Sequence, residues 1–395
     1  MDTIIVGGGA IGLAVAWRAA EAGLAVTVVD PRPGRGATWA AAGMLAPVTE
    51  AHYGEGALLD LALESSRRWP SFAAELTEAT GRDLCYRECG TVSVARNPDD
   101  NAALDELFAF QQRLGLDVQR LSGREVRSLE PALSPRVRGG ILVVGDHQVD
   151  NRALVGALRA AAEAAGVTVR RERVTAVRMD SGGVQGGVRR DGEEGVDRGE
   201  RGDRGDRVEG VELANGEVLT ASQVVLAAGA HSGQIGGVPP TALPSVRPVK
   251  GQLLHLRGPA PLATHNIRGL DVYIVPRADG RVVVGATVEE LGFDIRVTAG
   301  AVHELLREAW TLLPGIAELE LVEATAGLRP GSPDNAPLLG QTQVDGLLLA
   351  TGHYRNGILL TPVTADGLAQ ALTGGPAEVI AACSPRRFTP AGALA

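Results

Sequence analysis

The residues whose types and spacing best suggest chemistry lie near the two ends of the chain. GGGAIG at residues 7–12 follows a short apolar run, and GHYRNGILL at residues 352–360 places Arg355 just before a predicted helix start near Gly357. Backbone amides at a helix start favour negative charge. Together the segments predict a cofactor held by its phosphates at the first and by its reactive ring at the second, which is the arrangement of a flavoprotein.

The first segment has the spacing of a dinucleotide-binding turn. Gly7 permits a tight bend, Gly9 lets the backbone approach a pyrophosphate, and Gly12 lets the following helix pack closely on the strand. Asp30 follows Gly12 by 18 residues, at the end of a second β-branched run. A carboxylate there is predicted to accept hydrogen bonds from a ribose hydroxyl.

The run TWAAAGML at residues 38–45 consists mostly of residues with small side chains. It allows a flat ring system to lie against the backbone, although a plain alanine-rich helix is the alternative. Disulfide-reductase flavoproteins carry a redox cysteine pair at this point, whereas the cysteines here are Cys85, Cys89 and Cys383. We predict structural roles for the first two, at strand edges, and a noncovalent cofactor.

Two arginines beside glycines are candidates for binding a carboxylate. Arg329 lies in GLRPG at residues 327–331, and Arg355 lies in the second segment. A guanidinium presents a planar fork of donors that matches a carboxylate through two hydrogen bonds. Each arginine alone is more often a structural ion pair, but their shared context predicts one substrate carboxylate held between them.

The predicted elements divide the chain into two interleaved parts. A strand, turn, helix and strand run from Thr3 to Asp30, and a second such unit runs from Asn151 to Met179. Alternating strands from Lys250 to Ala286 predict an antiparallel sheet, followed by a helix from Thr298 to Leu313. We predict an α/β fold in which a Rossmann-like cofactor domain is interleaved with an α+β substrate domain on an antiparallel or mixed sheet.

The predicted bounds are 1–85, 143–245 and 326–395 for the cofactor domain, and 86–142 and 246–325 for the substrate domain. A segment at about 180–207, rich in Gly, Arg, Asp and Glu, is predicted to be a flexible insert. An adhesion role for its Arg-Gly-Asp triplets is disfavoured.

Composition narrows the class of protein. The 395 residues are 45% hydrophobic and 22% charged, with a net charge of −9. That charge argues against a general binder of nucleic acid or of anionic membranes, because the summed field repels phosphate. Three irregularly spaced cysteines predict neither a disulfide framework nor a zinc site. The apolar start has no basic leading region, so we expect a cytoplasmic protein with no stable membrane association.

The assembled motifs resemble the glycine oxidase family of thiamine biosynthesis, within the D-amino-acid oxidase superfamily. The matching pieces, in order, are GGGAIG at 7–12, AAAGML at 40–45, YIVPR at 273–277, GRVVVGAT at 280–287, AGLRPGS at 326–332 and GHYRNGILLTP at 352–362. The resemblance implies a glutathione-reductase-like FAD-binding domain and noncovalent FAD. It also implies oxidation of glycine and other small amines by oxygen, and a homotetramer.

The resemblance also implies roles for individual residues. Arg329 binds the substrate carboxylate, with Tyr273 and Arg355 beside it. No side chain is assigned as a catalytic base, since the flavin accepts the hydride. The residues expected to contact FAD are Gly7, Gly9, Ala10, Ile11, Gly12, Asp30, Ala37, Thr38, Ala42, Gly43, Met44, Val174, Gly229, His353, Tyr354, Arg355, Asn356, Gly357, Ile358 and Leu359.

Three positions depart from the family pattern, and they leave the breadth of substrate open. Trp39 stands where a small polar residue is expected, Val288 where methionine is expected, and Asp271 where histidine can occur. The alternative function is a D-amino-acid or sarcosine dehydrogenase or oxidase that passes electrons to a quinone. A nicotinamide-linked dehydrogenase explains neither AAAGML nor the last segment, and a flavin-binding protein without activity predicts that amines never bleach the flavin.

Overall fold

The computed structural model describes residues 2–180 and 206–388. The strands are β1 Asp2–Val6, β2 Ala25–Val29, β3 Met44–Leu45, β4 Thr91–Ala95, β5 Gln119–Ser122, β6 Gly139–Val143, β7 His147–Gln148, β8 Thr168–Arg170, β9 Val174–Asp180, β10 Arg207–Leu213, β11 Val218–Thr220, β12 Gln223–Leu226, β13 Arg247–Arg257, β14 Asn266–Arg268, β15 Tyr273–Pro276, β16 Arg281–Gly285, β17 Glu320–Gly331, β18 Leu338–Gln341 and β19 Leu347–Thr351. The helices are α1 Ala10–Glu21, α2 Ala37–Ala40, α3 Gly56–Thr80, α4 Pro98–Arg113, α5 Gly123–Leu129, α6 Asn151–Ala164, α7 Ala299–Leu312 and α8 Thr361–Leu372.

A six-stranded sheet forms the first layer, in the order β18-β19-β12-β1-β2-β8. All neighbours are parallel except β18 and β19, which are antiparallel. Strands buried on both faces read as continuous apolar runs, which explains why IIV and VV of β1 and β2 identified this sheet. The helices α1, α3, α6 and α8 pack beside it around one apolar core. The predicted Rossmann-like α/β fold is confirmed.

The second layer is an eight-stranded sheet in the order β17-β13-β16-β15-β14-β4-β6-β5. Its pairs are antiparallel except β14 with β4, so the predicted antiparallel or mixed sheet is confirmed. Helix α7 packs against it, and the Thr298 side chain accepts a hydrogen bond from Ala301 N, which starts the helix as predicted. The predicted domain boundary at 326 falls inside β17.

Several local predictions are wrong in detail. The last long helix begins at Thr361 instead of Gly357, because Gly357–Leu360 forms turns and Pro362 takes a position in the first helical turn. The alanine-rich helix, which is the alternative for the small-residue run, covers only residues 38–40 of it, because α2 ends at Ala40. Cys85 and Cys89 lie in the irregular connection between α3 and β4, not at strand edges.

The predicted insert lies almost wholly outside the described residues, which resume at Asp206. Strands β9 and β10 flank it and pair antiparallel, with Asp180 opposite Arg207. Among the described helices, none combines the length and apolar character needed to cross a bilayer.

Candidate functional site

A cavity of about 830 Å³ lies between the two sheets. Its walls come from the first glycine-rich turn, the small-residue run, the β13–β17 side of the second sheet and the segment after β19. This volume is within the range of cavities that bind cofactors and small ligands. The cavity therefore brings the two ends of the chain together, as the sequence suggested.

The first turn is shaped by close backbone contacts that leave no room for side chains. Gly7 has φ +114°, and a Cβ atom there would lie 2.3 Å from the Ala227 carbonyl oxygen. A Cβ atom on Gly12 would lie 1.9 Å from the Gly7 carbonyl oxygen. Helix α1 has no side-chain cap at Gly9 and no acidic residue in its first turn. Its amides therefore fit a phosphate group.

Asp30 lies at the end of β2 beside this turn. Its carboxylate accepts hydrogen bonds from the backbone amides of Gly8 and Arg32, each at 2.7 Å. Asp30 also lines the cavity. These bonds fix the carboxylate where a ribose hydroxyl would approach next to the phosphate turn.

The small-residue run passes along the cavity with its backbone anchored from behind. Gly43 has φ +78°, and a Cβ atom there would lie 2.0 Å from the Val149 carbonyl oxygen. Arg277, only 3% exposed, donates to the Ala42 carbonyl at 2.7 Å, to the Val149 carbonyl at 2.9 Å and to Gln148 Oε1 at 2.6 Å. Burial lowers the pKa of Arg277 to about 10, which leaves it charged at neutral pH. Sequence reasoning missed this residue, whose only signal is its place in YIVPR.

Arg329 presents a guanidinium to the cavity from β17. Its Nη1 atom donates to the Thr287 carbonyl at 3.1 Å and to the Lys250 carbonyl at 3.4 Å. A Cβ atom on Gly251 would lie 2.4 Å from Arg329 Nη2, so the guanidinium rests directly on this glycine. Within residues 2–180 and 206–388, no carboxylate forms an ion pair with Arg329. A carboxylate ligand fits this uncompensated charge.

Tyr273 lies near Arg329 on the same face of the second sheet. A Cβ atom on Gly285 would lie 2.4 Å from the Tyr273 hydroxyl oxygen. Burial raises the pKa of Tyr273, so its hydroxyl stays protonated at neutral pH and available as a hydrogen-bond donor. Gly251 and Gly285 thus leave the space that the side chains of Arg329 and Tyr273 occupy.

Arg355 also lines the cavity, but its charge is already compensated. Its Nε atom lies 2.7 Å from Glu50 Oε2 and its Nη2 atom lies 2.8 Å from Glu55 Oε2. Glu50 also pairs with Arg268. Burial acts to raise the pKa of Glu50, but Arg268 and Arg355 together hold it below its usual value. Sequence reasoning did not identify Glu50 or Arg268, because their partners are distant in the chain.

The last segment curves along the cavity before α8. His353 is buried, and its Nε2 atom lies 3.1 Å from Thr364 Oγ1. Burial lowers the pKa of His353 to about 3, which keeps the imidazole neutral. The Leu359 carbonyl accepts from Ser65 Oγ at 2.7 Å and from Trp69 Nε1 at 2.8 Å, which ties the segment to α3.

Most of the residues predicted to bind cofactor or substrate line this one cavity. Those that line it are Gly7, Gly9, Ala10, Ile11, Asp30, Ala37, Thr38, Ala42, Gly43, Met44, Val174, Gly229, Tyr273, Arg329, His353, Tyr354, Arg355, Gly357 and Ile358. Gly12, Asn356 and Leu359, which were also predicted to contact the cofactor, do not line the cavity. Of the three positions that depart from the family pattern, Asp271 and Val288 line the cavity, whereas Trp39 lies between Arg35 and Arg152, at 3.6 and 4.0 Å from its ring.

One wall of the cavity is held by a buried lysine. Lys250 is the single lysine of the chain, and its side chain is 0% exposed. Its Nζ atom lies 3.6 Å from Glu289 Oε2 and 3.5 Å from Asp294 Oδ2. Both carboxylates belong to residues 287–297, which include the Thr287 carbonyl that accepts from Arg329. Lys250 therefore anchors the segment that orients Arg329.

Replacing Lys250 with methionine is expected to lower the free energy of unfolding, because Glu289 and Asp294 lose the cation that they share. Urea unfolding measures this change. Arg257→Gln on the exposed end of the same strand is the matched control and should change stability by less than about 0.5 kcal/mol. Equal stability of K250M and the parent protein would show that the lysine does not anchor the segment.

Comparison with known proteins places these features in a family. The family described as FAD dependent oxidoreductase matches residues 2–371. A glycine oxidase of Geobacillus kaustophilus is 35% identical over 92% of this chain and 90% of its own length. The bifunctional protein ThiO/ThiG of Synechocystis is 35% identical over 98% of this chain, which spans 54% of that longer protein.

Solved structures agree with the sequence comparisons. The crystal structure of glycine oxidase from Geobacillus kaustophilus superposes with a TM-score of 0.85 at 33% sequence identity, and 98% of each chain is covered. The similarity therefore extends across both sheets and the cavity between them.

Proposed function

Because the chain belongs to the FAD dependent oxidoreductase family, we propose that it is an amino acid oxidase that converts glycine and other small amines, with oxygen and water, to glyoxylate or the matching oxo acid, ammonia and hydrogen peroxide. The proposal also assigns the reaction to the supply of thiazole precursors in thiamine biosynthesis. One observation carries the substrate class: Arg329 faces the cavity without a carboxylate partner among the described residues, whereas Arg355 is paired twice.

FAD is the cofactor, and the cavity residues fit it. The amides at the start of α1 would hold its pyrophosphate, Asp30 would accept a hydrogen bond from its ribose, and the residues from Ala37 to Met44 would contact its ring. Bound FAD supplies a ring that accepts a hydride from the carbon next to the amine. The glycine contacts of the first turn support this assignment, because any side chain at Gly7 or Gly12 would collide with backbone.

The protein's own groups orient the substrate. Arg329 binds the carboxylate through two hydrogen bonds, and the protonated Tyr273 hydroxyl donates a further one. These contacts would hold the α-carbon inside the cavity in one orientation, which is what a transfer to bound cofactor needs. Glu50 keeps Arg268 and Arg355 compensated, so that among these three arginines Arg329 is the one left for the substrate. A neutral amine needs no side-chain base, since its lone pair assists the departure of the hydride.

The acceptor is tested with purified holoenzyme in air. Glycine without any added acceptor is expected to give hydrogen peroxide and glyoxylate in equal amounts, because oxygen regenerates the flavin. Product that forms only after addition of a quinone analogue would assign the dehydrogenase alternative. Without oxygen, glycine should bleach the visible band of the bound flavin. An unchanged band with glycine, sarcosine and D-alanine would reject the amine oxidase altogether.

Assembly and location complete the proposal. We propose a homo-oligomer, a tetramer by family resemblance, located in the cytoplasm. The domain bounds stated from the sequence also remain a proposal, with the junction after β17 at Gly331 fitting the sheets better than the predicted junction at 326. Size-exclusion chromatography with light scattering measures the assembly directly.

A further inference from the structure

A groove at one end of β4, β5 and β6 is lined mostly by arginines. Arg96, Arg124, Arg127, Arg136 and Arg138 contribute five of its eight lining residues, and none of the eight is acidic. We call this the arginine groove. The chain as a whole carries a net charge of −9, so the positive charge of this groove is opposite in sign to the net charge of the protein.

Most of the charge in the groove is uncompensated. Arg96 pairs with Asp100 and Glu308, and Arg127 donates to the Val137 carbonyl at 2.5 Å. Arg124, Arg136 and Arg138 are exposed, and they form no ion pair within the described part of the chain. Like charges gathered this closely repel one another and favour a bound anion.

The groove is built on a fixed framework. Ser122 caps α5 in a capping box with Glu125. The Arg138 amide donates to the Ala95 carbonyl at 2.8 Å, which joins the groove to the end of β4, and the Val137 amide donates to the Ser134 carbonyl at 3.0 Å. The backbone that carries the arginines is therefore held in place before any ligand arrives.

We propose that the arginine groove binds a small phosphorylated molecule with two or more negative charges, such as one that carries a diphosphate group. Guanidinium forks match phosphate oxygens through paired hydrogen bonds. A diphosphate offers enough oxygens for several arginines at once. A long nucleic acid would extend past the groove, and the net negative charge of the protein would repel its phosphates. A compact anion therefore fits better.

The groove is linked to the substrate cavity through α7. Arg96 pairs with Glu308 and donates to Thr311 Oγ1 at 3.2 Å, both on α7, and the Ser134 amide donates to the Leu312 carbonyl at 2.8 Å. Glu308 also lines the substrate cavity. An anion that draws Arg96 away leaves Glu308 with Arg307 alone, at 2.9 Å. The extra negative charge beside the cavity then disfavours a substrate carboxylate.

Calorimetric titration of the holoenzyme with inorganic pyrophosphate tests the site, since bound FAD keeps the probe out of the phosphate turn. We expect one equivalent to bind at constant ionic strength. The double variant R136Q/R138Q should weaken binding about tenfold or more. The matched control R67Q/R159Q removes two exposed arginines on α3 and α6, away from the groove, and should bind pyrophosphate normally. Absence of binding, or equal binding by both double variants, overturns the proposal.

The same variants test the link to the substrate cavity, and this arm rests on the proposed function. Saturating pyrophosphate is expected to raise the KM for glycine about fivefold in the parent enzyme and to leave it unchanged in R136Q/R138Q. If pyrophosphate binds but the KM for glycine does not change, the coupling to the substrate cavity is rejected and the anion site in the arginine groove is retained. Binding of an acidic peptide, but not of pyrophosphate, would assign the groove to a protein partner and overturn the small-anion proposal. Loss of glycine oxidation itself does not affect the calorimetric result.

Discussion

Replacing Arg329 with alanine is expected to raise the KM for glycine about 100-fold or more while FAD remains bound. Two charge-assisted hydrogen bonds to a carboxylate contribute about 3 kcal/mol or more in total, and a tenfold change corresponds to about 1.4 kcal/mol. Arg329 lies on the second sheet, away from the phosphate turn on the first, so the cofactor keeps its contacts. Steady-state kinetics and the flavin content of the purified variant are the two measurements.

Two companion variants separate charge from position. Arg329→Lys keeps the charge but loses the planar fork of donors, so its KM for glycine should lie between those of R329A and the parent enzyme. Gly251→Ala keeps the arginine but places a Cβ atom 2.4 Å from its Nη2 atom, so it should raise KM by displacing the guanidinium. A primary amine without a carboxylate should be affected little by any of these changes. Wild-type kinetics in R329A would show that the carboxylate binds elsewhere.

The roles of the two candidate arginines illustrate what sequence can and cannot decide. Both lie in glycine-rich contexts, and the sequence suggested that they share one carboxylate. The structure shows that Arg355 is paired with Glu50 and Glu55. Both glutamates are about 300 positions away from Arg355 in the chain, so no local sequence pattern could indicate the pairing. Local pattern identifies a residue that can bind an anion, whereas only the fold shows whether that anion is already part of the protein.

The elements themselves were more accessible to sequence reasoning. Apolar runs and helical spacing identified β1, α1, β2 and α7 within one or two residues, because the local pattern and the buried face agree there. The start of α8 was misplaced because the turns at Gly357–Leu360 carry the same apolar residues as a first helical turn. The spacing of apolar residues indicates which residues are buried, but it does not distinguish a buried turn from a buried helix.

Arg277 supports the small-residue run from behind, and its replacement should have the largest structural effect. Arg277→Met is expected to lower the free energy of unfolding by about 3–5 kcal/mol, since the Ala42 and Val149 carbonyls and Gln148 Oε1 lose a buried donor. The same change removes a hydrogen bond from the backbone at Ala42, which lines the cavity proposed for FAD. Urea unfolding measures stability, and flavin retained after gel filtration measures cofactor binding.

The neighbouring Arg281 provides a control for Arg277 within the same hairpin. It is partly exposed and pairs with Asp150 and Asp279 at 2.7 Å, so Arg281→Gln should cost less than Arg277→Met and leave the flavin bound, because the glutamine remains near water and Asp150 keeps its backbone donors. A larger loss for Arg277 than for Arg281, in both stability and flavin content, links the buried donor to the cofactor wall. If R277M were stable but free of flavin, its hydrogen bonds would serve the cavity alone. If R277M kept both properties, the three carbonyl and amide acceptors would have to find other donors, and the support assigned to Arg277 would be wrong.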